Sequence, residues 1–155
     1  MTSMLPLLQR AAIKGEHVEA LPMQFPPTVA QTVGFEVVSV ERGTAVYRLD
    51  VLPEKHANPM GTVHGGILVV VADSAMGMAC LSLLEQGESF TTIELKTNYF
   101  RPLVAGQIEA RAKVVNAGRS LVYLECDVVT VPTEKLIAKA VSTCLVLRGD
   151  QAKGR

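Results

Sequence analysis

Hydrophobic and polar residues alternate along much of the chain, but one stretch breaks this pattern. Residues 67–84 are almost entirely apolar over 18 positions and contain a single charge, Asp73. A run of this length is either a membrane span, which needs about 20 apolar residues, or the central helix of a globular core. The central Asp73, the many small residues and the absence of flanking Lys or Arg clusters favour a core helix.

Alternation with a period of two predicts strands on both sides of this helix. The predicted strands are 35–41, 44–52, 90–101, 106–117, 121–131 and 135–148. Short turns between successive strands, such as Arg42-Gly43, predict antiparallel pairing. The predicted fold class is therefore α+β, a curved antiparallel sheet of about six strands wrapped around one long central helix, with a short N-terminal helix.

The two ends of the chain carry weaker patterns. Apolar spacing predicts a short helix at 4–14 that stops at Gly15, and one or two helical turns at 28–33 that stop at Gly34. Between them, 16–27 contains three prolines and reads as a loop. We therefore expect three regions: an N-terminal helical extension and linker at 1–33, one sheet-and-helix domain at 34–148, and a flexible tail at 149–155.

Composition narrows the class of protein. Acidic and basic residues balance at 15 each, which argues against a nucleic-acid-binding surface. The three cysteines are widely spaced in apolar contexts, and the three histidines form no ligand cluster, so we expect reduced thiols and no metal. The N-terminus does not resemble a signal peptide. These features predict a cytoplasmic protein.

The helix itself predicts a dimer. One sheet covers only part of a helix that is apolar almost all round, so we expect a second copy to cover the rest. Gly65 and Asp73 are eight residues apart, which on one helix separates them by about 12 Å along the axis and about 80° around it. One reacting carbonyl cannot contact both. If both act on one substrate, they come from different subunits, with two equivalent sites per dimer.

The residue types at these two positions suit acyl transfer. A helix N-terminus offers unpaired N–H groups, and Gly65 and Gly66 allow a substrate to approach the backbone closely. An N–H there would polarise a carbonyl and stabilise an oxyanion. A partly desolvated Asp73 would activate water or attack the carbonyl directly. Two structural alternatives stay open from spacing alone. The His64-Gly65-Gly66 sequence is also typical of a simple helix start, and a buried carboxylate can be hydrogen-bonded within a dimer core.

Three ordered motifs carry a resemblance to a known family. They are NPMGTVHGG followed by ADSA, then LKTNYFRP, and then NAGRS. Over residues 34–147 the chain resembles the hotdog-fold acyl-CoA thioesterases of the PaaI-like type, related to 4-hydroxybenzoyl-CoA thioesterases. The resemblance makes the 34–148 region a hotdog thioesterase domain. It implies hydrolysis of acyl-CoA to a free acid and CoA, by homodimers that usually pair into homotetramers.

The resemblance also implies catalytic roles for individual residues. Asp73 corresponds to the nucleophile or general base, and the backbone N–H of Gly65 to the group that polarises the carbonyl. Asn58 corresponds to the residue that positions the carbonyl or the attacking water. Thr92 matches the residue that assists on the aspartate side, with Thr91 beside it as a rival.

The resemblance also implies roles at the turn and in binding coenzyme A. Coenzyme A is part of the substrate, and no separate cofactor is expected. His64 is expected to hold the turn. Phosphate contacts are expected from basic and turn residues, Arg101, Gly118, Arg119 and Ser120. The acyl group is expected to bind in a pocket lined by helix residues such as Met76 and Met78. Because methionine adapts its shape, both aromatic and aliphatic acyl groups are possible.

Two other functions remain as alternatives to hydrolysis. The first is a hotdog-fold hydratase or dehydratase that uses His64 and Asp73 as an acid–base pair, which requires His64 to project into the substrate tunnel. The second is a non-catalytic acyl-CoA-binding module. The presence of Asn58 and Thr92 together with Asp73 favours hydrolysis.

Overall fold

One antiparallel sheet of six strands dominates the structure, a computed structural model that describes residues 2–21 and 23–153. Residues 1, 22, 154 and 155, which belong to the predicted extension and tail, lie outside the described residues. The strands are β1 (Phe35–Glu41), β2 (Thr44–Val51), β3 (Ser89–Tyr99), β4 (Gly106–Ala117), β5 (Leu121–Val131) and β6 (Leu136–Leu147). Their order across the sheet is β1-β2-β4-β5-β6-β3.

Five helical segments accompany the sheet in the described chain. They are α1 (Leu5–Leu8), which continues as a π-helical turn (Gln9–Ile13), α2 (Thr28–Val33), α3 (Pro53–His56), α4 (Gly65–Leu81) and a 3-10 turn (Gly149–Ala152) that begins the predicted tail. Helix α2 ends at Gly34, whose φ of 92° closes the helix in the left-handed region. The predicted α+β fold, with one long helix and a short N-terminal helix, is confirmed.

Helix α4 lies against all six strands and forms the centre of the core. Its small residues let the sheet approach closely, and Ala72, Ala75 and Ala79 are fully buried. The alternation predicted for β4 holds, because Ile108 and Ala110 face the helix and are also fully buried. No described helix is both long and apolar enough to cross a membrane.

One face of α4 stays partly open. Val69, Val70, Asp73 and Ser74 are half-buried, whereas the residues that face the sheet are buried. The N-terminal segment covers another part of the core, where Met4 and Leu8 are buried. The open face of α4 is therefore a strip with Asp73 at its centre.

The two edges of the sheet differ. The side-chain amide of Gln9 donates to the carbonyl oxygen of Val40 at 2.8 Å, so the N-terminal helical segment covers part of β1. No described strand pairs with the outer edge of β3. There the predicted alternation is wrong at Ile93, which is 56% exposed because a bulge between Thr92 and Glu94 shifts the register.

Candidate active site

The site begins at the N-terminus of α4, where His64 caps the helix. His64 has an extended backbone, and its Nδ1 accepts the N–H of Gly66 at 2.9 Å. A side chain at position 66 would bring a Cβ to 3.1 Å from that nitrogen, so the His64 ring would have to shift by a few tenths of an ångström to admit it. His64 thus supports the turn through Nδ1.

Gly65 presents a backbone N–H at the start of the helix. No acceptor in the described chain contacts this N–H, which leaves it available to a ligand. The other side of Gly65 is occupied, because the Tyr99 hydroxyl donates to its carbonyl oxygen at 3.2 Å and a Cβ would lie 3.0 Å from the ring. A side chain at position 65 would therefore have to displace the Tyr99 ring. Tyr99 fills the space.

Asn58 organises the loop that precedes the helix. Its Oδ1 accepts the N–H groups of Met60 at 2.9 Å and Thr62 at 3.2 Å, and its Nδ2 donates to the Thr62 hydroxyl at 3.0 Å. Asn58 and Gly65 line one cavity of about 410 Å³ together with Tyr99. We call it the glycine cavity. One N–H of the Asn58 side chain has no partner among the described residues and is free to orient a substrate.

Asp73 lies on the half-buried strip of α4 and pairs with the first strand after the helix. The Thr92 hydroxyl donates to Asp73 Oδ1 at 3.2 Å. Burial raises the pKa of Asp73 above its ordinary value, and the Thr92 hydrogen bond opposes this rise by stabilising the carboxylate. Between the two candidate threonines, the structure brings Thr92 to Asp73 and gives Thr91 no hydrogen bond to it.

A second cavity, of about 280 Å³, is lined by Asp73 and Thr92 and otherwise mainly by apolar side chains. We call it the aspartate cavity. Met78 lines it as expected. Met76 does not, because it is fully buried under the sheet, where its sulfur accepts the Ser142 hydroxyl at 3.3 Å.

Phe90 forms part of the wall of the aspartate cavity. Its ring packs against the backbone of α4, since a Cβ on Gly77 would lie 2.9 Å from the ring. A glycine in the middle of a helix lowers helix stability, and here it allows this close approach. The sequence signal for this contact was the lone Gly77 inside the apolar run.

The two cavities separate the predicted site residues into two groups. Asn58 and Gly65 line the glycine cavity, Asp73 and Thr92 line the aspartate cavity, and the two share no lining residue within the described chain. The structure therefore does not bring Gly65 and Asp73 together in one subunit. This agrees with the helical spacing of the two residues.

The predicted coenzyme A contacts are likewise divided. Arg101 lines the glycine cavity, and its guanidinium donates to the carbonyl oxygen of Leu136 at 2.6 Å. Gly118, Arg119 and Ser120 form the exposed turn between β4 and β5, which lies beside the other end of β3. The 11 residues of β3 separate these two places by about 35 Å in one chain.

Sequence reasoning missed four side chains near Asp73. Met23 and Phe25, from the predicted linker, line the aspartate cavity together with Tyr47 of β2. The alternation in β2 placed Tyr47 on the inner face, but nothing in the linker pattern indicated a role. The fully buried Cys144 also lies close, with its sulfur 3.9 Å from the Thr92 hydroxyl. The described residues contain no cluster of three His, Cys, Asp or Glu suited to a metal.

Comparison with known proteins places the chain in a family. Residues 60–137 match the family model described as the thioesterase superfamily. A 1,4-dihydroxy-2-naphthoyl-CoA hydrolase of Listeria monocytogenes is 34% identical over 116 residues, which cover 75% of this chain and 91% of that protein. Human acyl-coenzyme A thioesterase 13 is 31% identical over 108 residues, which cover 69% of this chain and 76% of that protein.

A solved structure agrees with these relatives. A mutant of the phenylacetic acid degradation protein PaaI from Thermus thermophilus is 32% identical, with a TM-score of 0.69, over 76% of this chain and 96% of that chain. The resemblance drawn from the sequence motifs is thereby confirmed. The chain belongs to the thioesterase superfamily and is a thioester hydrolase with the hotdog fold.

Proposed function

We propose that this protein hydrolyses acyl-CoA thioesters to a free acid and CoA, at a site that two subunits share. The observation that carries the proposal is the separation of the two cavities on α4. One cavity holds the Asp73–Thr92 pair and the other holds the free N–H of Gly65. The named activities of the relatives, on 1,4-dihydroxy-2-naphthoyl-CoA and acyl-coenzyme A, support a thioester of CoA as substrate.

The chemistry assigns one task to each cavity. The N–H of Gly65 binds the thioester oxygen and stabilises the negative charge that develops on it. Asp73 either takes a proton from water, whose oxygen attacks the carbonyl carbon, or attacks that carbon itself to form an anhydride that water then cleaves. In both routes the C–S bond breaks and the sulfur leaves as the thiol of CoA. Asn58 orients the carbonyl or the water.

A dimer unites the two groups. If two α4 helices run antiparallel across a two-fold axis, the N-terminus of one lies near the middle of the other, and each dimer has two sites. The half-buried strip around Asp73 and the unpaired edge of β3 are the surfaces that such a dimer would cover. We further propose that the dimers pair into tetramers, as the family resemblance implies.

The same arrangement assigns the coenzyme A contacts. Arg101 of one subunit and the turn of Gly118, Arg119 and Ser120 of the other would lie on opposite sides of one bound CoA. Guanidinium groups and turn N–H groups both suit phosphate oxygens. The four residues are too far apart to do this within one chain.

Release of thiol tests the proposal directly. A thiol reagent would report CoA released from a panel of aromatic and aliphatic acyl-CoAs, and the buried cysteines of the enzyme would add little background. We expect Asp73→Asn to lower kcat/KM by about 10²- to 10⁴-fold, the usual contribution of a general base, while the dimer persists. Asp50→Asn, on an exposed aspartate of β2, is the matched control and should retain activity. An Asp73→Asn variant as fast as the parent would refute the mechanism, and hydration of an enoyl-CoA without thiol release would support the hydratase alternative.

Subunit mixing tests the shared site. Asp73→Asn and Asn58→Ala proteins should each be inactive alone, but a heterodimer would contain one intact site and one doubly altered site. After complete random exchange, half of the molecules are heterodimers, so about a quarter of the parental activity should return. No recovery after demonstrated exchange would place each site within one subunit.

A further inference from the structure

The aspartate cavity is bounded by a part of the chain that the family model does not match. The match begins at residue 60, whereas Met23, Phe25, Pro27 and Tyr47 all line the cavity. These residues come from the linker before α2 and from β2. This wall of the cavity therefore comes from residues that precede the matched region.

A further cavity lies directly behind this wall. It has a volume of about 390 Å³ and lies between the N-terminal helical segment, α2 and β1. We call it the outer cavity. Phe25, Pro27 and Tyr47 line both the outer cavity and the aspartate cavity, so their side chains form a partition between the two.

The partition is held in place by packing. Tyr47 is only 3% exposed, and its ring lies 5.5 Å from that of Phe35, centroid to centroid. Phe25 is half-buried and packs against the same core. Phe25 sits on a loop, whereas Tyr47 is fixed in the middle of β2, so Phe25 is the part of the partition that substitution can remove with least damage to the fold.

Tyr47 adds a chemical barrier to the steric one. Its hydroxyl has no hydrogen-bond partner among the described residues, and burial raises the pKa of Tyr47 well above its ordinary value, so the group stays protonated. A methylene chain that reached the partition would surround this hydroxyl with hydrocarbon. Burying a polar group without a partner is unfavourable, and longer acyl chains would carry that cost.

We infer that the Phe25–Tyr47 partition sets the size of the acyl group that the enzyme accepts, by closing the aspartate cavity against the outer cavity. The inference rests on the proposed function, because it places the acyl group of the thioester in the aspartate cavity beside Asp73. It assigns a specificity role to a linker residue, Phe25, that lies outside the matched region. The parent enzyme is thereby limited to acyl groups that end at the partition.

A series of straight-chain acyl-CoAs of increasing length tests the inference. The parent should show a length beyond which kcat/KM falls steeply. Phe25→Ala should join the two cavities and raise kcat/KM for the first rejected length by about tenfold or more, the usual effect of one methylene in an apolar pocket. Phe25→Leu, which keeps more of the packing, should move the limit by a smaller step and covers the case in which the alanine variant does not fold.

The outer cavity supplies the matched control. Ala12 lines the outer cavity and not the aspartate cavity, so Ala12→Phe alone should leave the length limit of the parent unchanged. Combined with Phe25→Ala, it should fill the opened space and restore the parental limit. An unchanged limit in folded Phe25→Ala, or an equal fall at every length, would overturn the inference and leave the proposed function standing. If the parent releases thiol from no acyl-CoA, the proposed function fails and the inference falls with it.

Discussion

At the scale of single residues, the pair formed by Asp73 and Thr92 decides how the site responds to pH. Burial favours the neutral acid and raises the pKa of Asp73, whereas the Thr92 hydroxyl donates to the carboxylate and favours its charged form. In the proposed mechanism the ionised carboxylate is the active form. The hydrogen bond from Thr92 therefore extends activity toward lower pH.

We expect Thr92→Val to move the acidic limb of the pH–rate profile to higher pH. Valine keeps the shape of threonine but cannot donate, so desolvation of Asp73 is no longer opposed and its pKa rises further. Activity should fall several-fold at low pH and change less on the plateau, measured as kcat/KM across the acidic range. Thr91→Val, beside it on β3, is the matched control. An acidic limb that does not move in Thr92→Val would show that this hydrogen bond does not tune the active group.

At the scale of elements, the sequence predicted each strand to within two residues, because most strands have one face toward α4 and one toward solvent. Strands β4 and β5 were predicted with their observed bounds, 106–117 and 121–131. Alternation failed at Ile93, because a bulge depends on the partner strand β6 and leaves no mark in the pattern of β3.

Site prediction depended on how local the determinants were. The turn from Asn58 to Gly65 and the helix that carries Asp73 are contiguous in sequence, so their geometry could be worked out from spacing. The walls of the aspartate cavity could not be worked out in this way, because Phe25 and Tyr47 reach the cavity only through tertiary packing. A linker rich in proline carries no periodicity from which such contacts follow.

The cap of α4 yields a prediction that separates structural from chemical roles for His64. His64→Ala removes the acceptor of the Gly66 N–H and should destabilise the protein by about 1 kcal/mol, the usual cost of losing an N-cap. His64→Asn retains a capping side chain and should stay closer to the parent in both stability and kcat/KM. Urea unfolding at fixed protein concentration and thiol release measure the two quantities. If His64 were an acid–base group, both variants would lose activity by about 10²- to 10⁴-fold, regardless of stability.

At the scale of the whole molecule, the two open surfaces lie next to each other. The unpaired edge of β3 carries Ile93, and the half-buried strip of α4 carries Asp73, which bonds to Thr92 on that same strand. An exposed edge strand is prone to pair with another chain, and natural proteins usually block such edges with charge. Glu94 and Lys96 are exposed on β3, but the bulge beside them also exposes the apolar side chain of Ile93, which favours this edge as the contact between subunits.

We therefore expect Ile93→Lys to shift the protein toward monomers and to abolish activity together with dimerisation. A charge on this edge would have to lose its hydration in the subunit contact, although it remains solvated in the monomer. Sedimentation velocity would report the assembly state, and circular dichroism would show that the fold persists. The control is Val115→Lys, on an equally exposed valine of β4, a strand that already has neighbours on both sides. Because a folded monomer keeps both Asp73 and Gly65, activity in a monomeric Ile93→Lys protein would contradict the shared site, and an unchanged dimer would place the contact elsewhere.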